Sequence, residues 1–119
     1  MPTPVSRSPL SVPVFQILLS CSDSVLHGYA IIQDIRERTG GRVHLTASTL
    51  YGALKRLLAE GLVEERPAPA DATDDDPRRR YYRTTDAGRA LLADEAARLR
   101  RALDEAEAKG FAAVRDGTA

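Results

Sequence analysis

The stretch that decides the fold is TASTLYGALKRLLAEGLVEERPAPADATDDDPRRRYYRTTDAG, residues 46–88. Thr46 is suited to cap a helix on which Leu50, Leu54, Leu57 and Leu58 recur at helical spacing, and Gly61 supplies the stop. The opposite face carries Ser48, Gly52, Lys55, Arg56 and Ala59. Small and cationic side chains let such a face enter the major groove of DNA while offering donors to phosphates and purine edges. Taken alone, the same pattern also fits an ordinary solvated surface helix. Leu62 to Arg66 reads as a strand and Arg78 to Thr84 as its partner, because the intervening Pro67 to Pro77 is too rich in Pro, Ala and Asp for either helix or strand. A helix, a wide hairpin and a second helix in that order describe a winged helix. The return strand sets Arg78, Arg79, Arg80 and Arg83 around Tyr81 and Tyr82, a pattern suited to clamping phosphates or a minor groove.

Upstream, Pro13 to Ser20 is dominated by Val14, Phe15, Ile17, Leu18 and Leu19, with Pro13 where a first helical turn tolerates it. After the polar link Ser22 to Ser24, a second helix is expected from His27 to Thr39, with Ile31, Ile32 and Ile35 inward and Gly40 and Gly41 closing it. Arg42 to Leu45 alternates polar with apolar and is expected to add a third strand to the wing. The fold class is therefore mainly α with a small β-hairpin wing: a winged helix-turn-helix followed by one long helix.

A chain of 119 residues with 43% hydrophobic content has room for one domain and an extension. The expected division is a flexible stretch at 1–9, a DNA-binding domain at 10–84, a C-terminal dimerisation helix at 85–110 and a frayed tail at 111–119. No apolar run approaches the roughly 18 to 20 residues that cross a bilayer, and the first residues lack the pattern of a secretory signal. A cytoplasmic protein without a membrane partner is the expectation. The single cysteine, Cys21, reads as a small hydrophobe, and His27 and His44 as packing or capping residues without metal-ligand spacing. With no nucleophile beside a base, no glycine loop for phosphates and no ligand cluster, the sequence calls for no catalytic residue, metal or cofactor.

Seventeen basic and seventeen acidic residues cancel, so the overall excess usual in a DNA binder is missing. The distribution is more informative. Lys55, Arg56, Arg66, Arg78, Arg79, Arg80 and Arg83 fall in the helix and hairpin, whereas Asp71, Asp74, Asp75 and Asp76 fall in the hairpin loop and other acids on the last helix. The loop acids read as solvated and turned outward. Zero net charge leaves open a second class, a winged-helix module that uses this face for a protein partner.

From Thr85, a suitable N-cap, to about Gly110, the positions Leu92, Ala96, Leu99, Leu103 and Ala106 recur at alternating spacings of four and three. Asp94 with Arg98, Arg100 with Asp104 and Arg101 with Glu105 can pair along the flank. So small a domain cannot cover that stripe, which reads as the contact between two copies. A helix folded back on its own domain is the competing reading.

Four blocks in order carry a family resemblance: Leu26-His27-Gly28-Tyr29-Ala30-Ile31-Ile32; Thr49-Leu50-Tyr51-Gly52-Ala53-Leu54-Lys55-Arg56-Leu57; Glu60-Gly61-Leu62-Val63; and Arg79-Arg80-Tyr81-Tyr82-Arg83 with Thr85-Asp86-Ala87-Gly88. Over residues 10 to 105 the chain resembles the PadR family of bacterial transcriptional regulators. The resemblance implies a winged-helix homodimer, most often a repressor, that pairs through one C-terminal helix. Thr84 departs from the family by standing where an apolar residue is usual, and the wing loop is longer and more acidic than in many members.

The candidate DNA-binding residues are Gly28, Ser48, Thr49, Tyr51, Gly52, Lys55, Arg56, Arg78, Arg79 and Arg80. Gly28 fits both close packing and a phosphate on free helix amides, and Tyr51 fits both core packing and a phosphate contact through its hydroxyl. Paired recognition helices would meet half-sites on the order of 34 Å apart in a palindromic operator. The resemblance further implies a hydrophobic or phenolic effector between subunits, near Val14, Ile17, Leu92 and Ala96, although 5% aromatic content and the lack of Trp show no aromatic sandwich there.

Overall fold

The computed structural model describes residues 8–72 and 76–111. Four helices and three short strands follow one another as α1 (Val12–Ser20), β1 (Leu26–His27), α2 (Gly28–Arg38), α3 (Ala47–Ala59), β2 (Val63–Arg66), β3 (Tyr81–Thr84) and α4 (Asp86–Ala108). The expected flexible 1–9 and frayed 111–119 lie outside the described residues except for Ser8, Pro9 and Phe111, and the expected outward turn of Asp74 and Asp75 lies outside them too.

Each helix begins on a side-chain acceptor that the sequence provides. Ser11 caps α1, His27 caps α2 through Nδ1, Thr46 caps α3 and Thr85 caps α4. Gly61, at φ 72°, then ends α3 in a left-handed turn, and the amide of Leu62 donates to the Leu57 carbonyl at 2.9 Å. This closure turns the chain directly into β2, which starts at Val63 because the Leu62 amide is already engaged.

The helices enclose one core. Val14, Ile17 and Leu18 of α1 meet Ile31 and Ile35 of α2 and Leu50, Leu54 and Leu57 of α3, with Leu62, Val63, Tyr82 and Leu91 closing the wing side. Cys21 belongs to this core, and burial, helped by the charge of Asp34, pushes its thiol up to about 12, so it stays protonated and inert. Arg38 ties α2 to α1 by donating to Asp34 and Ser20 and to both the side chain and backbone of Gln16.

The strands form an antiparallel sheet in the order β1-β3-β2, with Glu65 opposite Tyr82 and His27 opposite Tyr81. Two expectations are corrected here. The third strand is Leu26–His27 rather than Arg42 to Leu45. Gly40 and Gly41 take positive φ, and the Val43 amide donates to Thr39 Oγ1 at 3.0 Å, which turns that segment away from the sheet and sends Leu45 into the core. The return strand begins at Tyr81, not Arg78, because the amides of Arg78 and Arg79 both donate to Asp76 in a turn. Arg78, Arg79 and Arg80 therefore form the root of the loop rather than a ladder.

Thr84 sits in the core at 2% exposure, where its hydroxyl donates to the Leu18 carbonyl at 2.8 Å and its amide to the Cys21 carbonyl at 3.0 Å. A polar residue at this apolar-looking position thus stitches β3 to the end of α1. Beyond it, α4 turns Gly88, Leu91 and Glu95 toward its own domain; of the expected stripe, Leu92 packs half-buried against the core and Ala106 is half-buried, while Ala96, Leu99 and Leu103 are exposed. Leu99 and Leu103 are 41% and 36% exposed. Glu95 is buried against Ser8 and Arg98, so Arg98 pairs three residues back with Glu95 instead of with the expected Asp94.

Candidate nucleic-acid interface

The inward face of α3 is fixed by Leu50, Ala53, Leu54 and Leu57, all buried, and this aims Ser48, Thr49, Gly52, Lys55 and Arg56 at solvent. Tyr51 stands between the two faces at 50% exposure. Its phenol folds toward the start of α2 and lies over Gly28, where a Cβ would come within 2.7 Å of the Tyr51 Cζ and nearer still to its hydroxyl. Gly28 is thus the one buried member of the ten-residue candidate set, and its lack of a side chain makes room for Tyr51.

Between α3 and the wing runs an open groove of about 620 Å³, lined by His27, Gly28 and Tyr29 on one side, Tyr51 and Tyr82 below, and Asp76, Arg78, Arg79 and Arg80 on the other. The His27 ring meets Tyr81 edge-on at 5.4 Å and stacks on Tyr29 at 6.5 Å, while Arg79 Nη1 lies 2.6 Å from His27 Nε2. The groove gathers aromatic, glycine and cationic residues from segments that are remote in sequence. An arrangement of cations, phenols and a helix start suits a polyanionic backbone.

The arginines are not idle in this structure. Asp76 Oδ1 accepts from the amide of Arg78 at 3.0 Å and from its Nε at 3.2 Å, and these bonds hold the Asp76 carboxyl below the usual carboxylate range. Arg80 donates to Glu65 across the hairpin at 2.9 Å, which raises its own affinity for a proton. Tyr29, 61% exposed and hydrogen bonded by Gln33, lines the groove and was absent from the candidate set read from the sequence. Its place in the first turn of a capped helix beside Gly28 was the available signal.

Of the proposed effector-lining set, the structure shuts Val14 and Ile17 inside the core at 4% and 0% exposure. Leu92 is half-buried and Ala96 open, so only those two reach the surface of α4. Among the described residues no cluster of His, Cys, Asp or Glu is arranged to hold a metal ion, and no helix is long and apolar enough to cross a membrane.

Three helices with a hairpin wing and a long trailing helix define a winged helix-turn-helix protein. The sequence model of the Transcriptional regulator PadR-like family matches residues 17–94, and the chain belongs to that family. It is 39% identical over 89 residues to transcriptional regulator Rv3488 of Mycobacterium tuberculosis, covering 75% of this chain and 73% of that protein. In structure it resembles a PadR family transcription regulator from Clostridium difficile, with a TM-score of 0.69 at 24% identity over 82% of this chain and 96% of that one. It also resembles Bacillus subtilis PadR in complex with operator DNA, with a TM-score of 0.57 at 28% identity over 72% of this chain and 47% of that one.

Proposed function

We propose that this regulator binds DNA sequence-specifically as a homodimer on an inverted-repeat operator and represses by occupying a promoter. The observation that carries the reading is the exposed, small and cationic face of α3, set beside a groove that gathers Tyr29, Tyr51 and the wing arginines. The likeness to Bacillus subtilis PadR, a protein solved in complex with operator DNA, supports a DNA-binding reading. In this reading Lys55 and Arg56 supply phosphate and base contacts, Ser48, Thr49 and Gly52 allow close approach, and Arg78, Arg79 and Arg80 reach the flanking backbone.

Support for a dimer comes from α4. The exposed Ala96, Leu99 and Leu103 of its stripe would be stabilised by pairing with a second copy, and a two-fold pair would present two reading helices to a palindrome. A small hydrophobic effector between subunits would act by binding one spacing of the reading helices better than another, resting on Leu92 and Ala96.

The zero net charge favours one competing reading, in which the same face docks a protein partner. Selection of bound fragments from a random duplex pool separates them. The expected result is an enriched palindrome whose binding weakens steeply between about 50 and 200 mM salt, with Lys55→Ala, Arg56→Ala or Arg80→Ala blurring or weakening it. An unenriched pool would overturn the reading.

A further inference from the structure

The wing's charge does not match its expected role as a clamp. From Val63 to Thr84 five arginines face six carboxylates, a formal charge of −1, whereas Ala47–Ala59 carries Lys55 and Arg56 and no acid at all, a charge of +2. Of these two segments, α3 carries the net attraction for a polyanion and the hairpin as a whole adds none. The pairing of its charges explains how a net-acidic hairpin can still serve a polyanion.

Two wing arginines are each held by a carboxylate of the same hairpin. Asp76 grips Arg78 through both backbone and side chain, and Glu65, fixed on β2 opposite Tyr82, grips Arg80 at 2.9 Å. Glu64 lies opposite Arg83 in the ladder, so the acid next in line sits across from the next cation. All four paired arginine and carboxylate side chains keep substantial exposure, between 36% and 89%, and such pairs are weak enough to exchange partners. A phosphate that takes the donors these carboxylates now hold must displace them, and one that takes the remaining donors must approach beside a like charge, so either mode favours a position where the carboxylate is not driven against the DNA.

We propose that Glu65 and Asp76 are specificity-determining residues: they keep Arg80 and Arg78 from arbitrary phosphates and release them only to a backbone held in register by α3. This deepens the DNA-binding reading and rests on it. Release of an arginine leaves its carboxylate to recruit a counter-cation, so each exchange cancels about one unit of the salt slope that the arginine would otherwise contribute.

The test compares full-length protein with Glu65→Gln and Asp76→Asn, using the duplex enriched from the random pool and a shuffled duplex of the same composition. Both side chains are exposed enough to stay solvated, and the carboxamide oxygen that Asp76→Asn introduces still accepts the Arg78 amide, so thermal melts should match the parent. Each variant is expected to bind the shuffled duplex about threefold more tightly, the scale of one exposed ion pair, with a smaller gain on the enriched duplex. The salt slope on the shuffled duplex should steepen by about one. Equal gains on both duplexes, or no gain on either, overturn the inference while leaving the parent's DNA binding intact. If the parent binds no duplex at low salt and Lys55→Ala changes nothing, the DNA-binding reading falls and takes this inference with it.

Discussion

The phenol of Tyr51 occupies the space that a side chain at position 28 would need, so α3 and the start of α2 meet through Tyr51 and Gly28. The contact is steric, and the atoms in the way are Oη and Cζ at the tip of a half-exposed side chain, so the Tyr51 ring rather than the backbone would give way. It joins α3 to the helix whose first turn lines the groove.

Gly28→Ala should therefore turn the Tyr51 ring outward at a cost of about 1 kcal/mol or less, below the range for overpacking a closed core, and weaken DNA binding by displacing the ring. In a Tyr51→Ala background the same replacement should cost far less. A double-mutant cycle by denaturant unfolding checks this; strictly additive losses would show that the two positions do not act through each other.

Thr84→Val keeps the shape of a buried side chain and deletes the hydroxyl that donates to the Leu18 carbonyl. A loss of about 1 kcal/mol is expected, with the β3 amides near it gaining hydrogen-exchange rates. A more stable valine variant would mean that the bond contributes nothing beyond its volume.

Acid sensitivity should trace to Glu95. The Arg98 guanidinium first, then the Ser8 hydroxyl and the Leu10 amide, hold its carboxyl down to about 2 from an ordinary 4.5 despite burial. A depressed folded-state value stabilises the fold fully above about 4.5, and that contribution is lost as pH falls from there toward about 2. Glu95→Gln should lower stability at neutral pH by about 2 kcal/mol and flatten the pH profile in that window. Urea unfolding at pH 7 and pH 3 provides the check, and parallel profiles for the two proteins would refute the assignment.

Leu99→Asp or Leu103→Asp places a charge on the uncovered stripe of α4. If two copies pair through this stripe as proposed, each should raise the dissociation constant of that pair at least tenfold, about 1.4 kcal/mol, while leaving the monomer's melting curve almost unchanged. Sedimentation equilibrium reads the outcome directly, and an unaltered dimer would place the contact elsewhere.

The sequence was most legible where one helix had both a cap and a stripe. Thr46 with Leu50, Leu54 and Leu57 located α3 to within a residue, and Thr85 did the same for the start of α4. The two-residue β1 was not legible, because Leu26 and His27 are too few to show any alternation and form a strand only where β3 offers a free edge. The start of β3 was misjudged for a related reason: Asp76 captures the amides of Arg78 and Arg79, and a turn of that kind leaves no periodic trace. Glu95 escaped notice because acidic residues on a surface helix are usually solvated, and only the fold of residues 8–10 over α4 buries it. The outward face of α3 could be named from the sequence, but its junction with Tyr29 and the wing root required the packing.

His27 joins two parts of the fold at once: its backbone pairs with Tyr81 in the sheet, and its ring closes the first turn of α2. A displacement of the hairpin therefore cannot leave the helix pair behind. The ladder, in contrast, ends at Arg66 and Tyr81, and lengthening or shortening the chain between those two disturbs none of its rungs. Descendants of this scaffold are thus free to vary the outermost reach of the hairpin while inheriting its hinge unchanged.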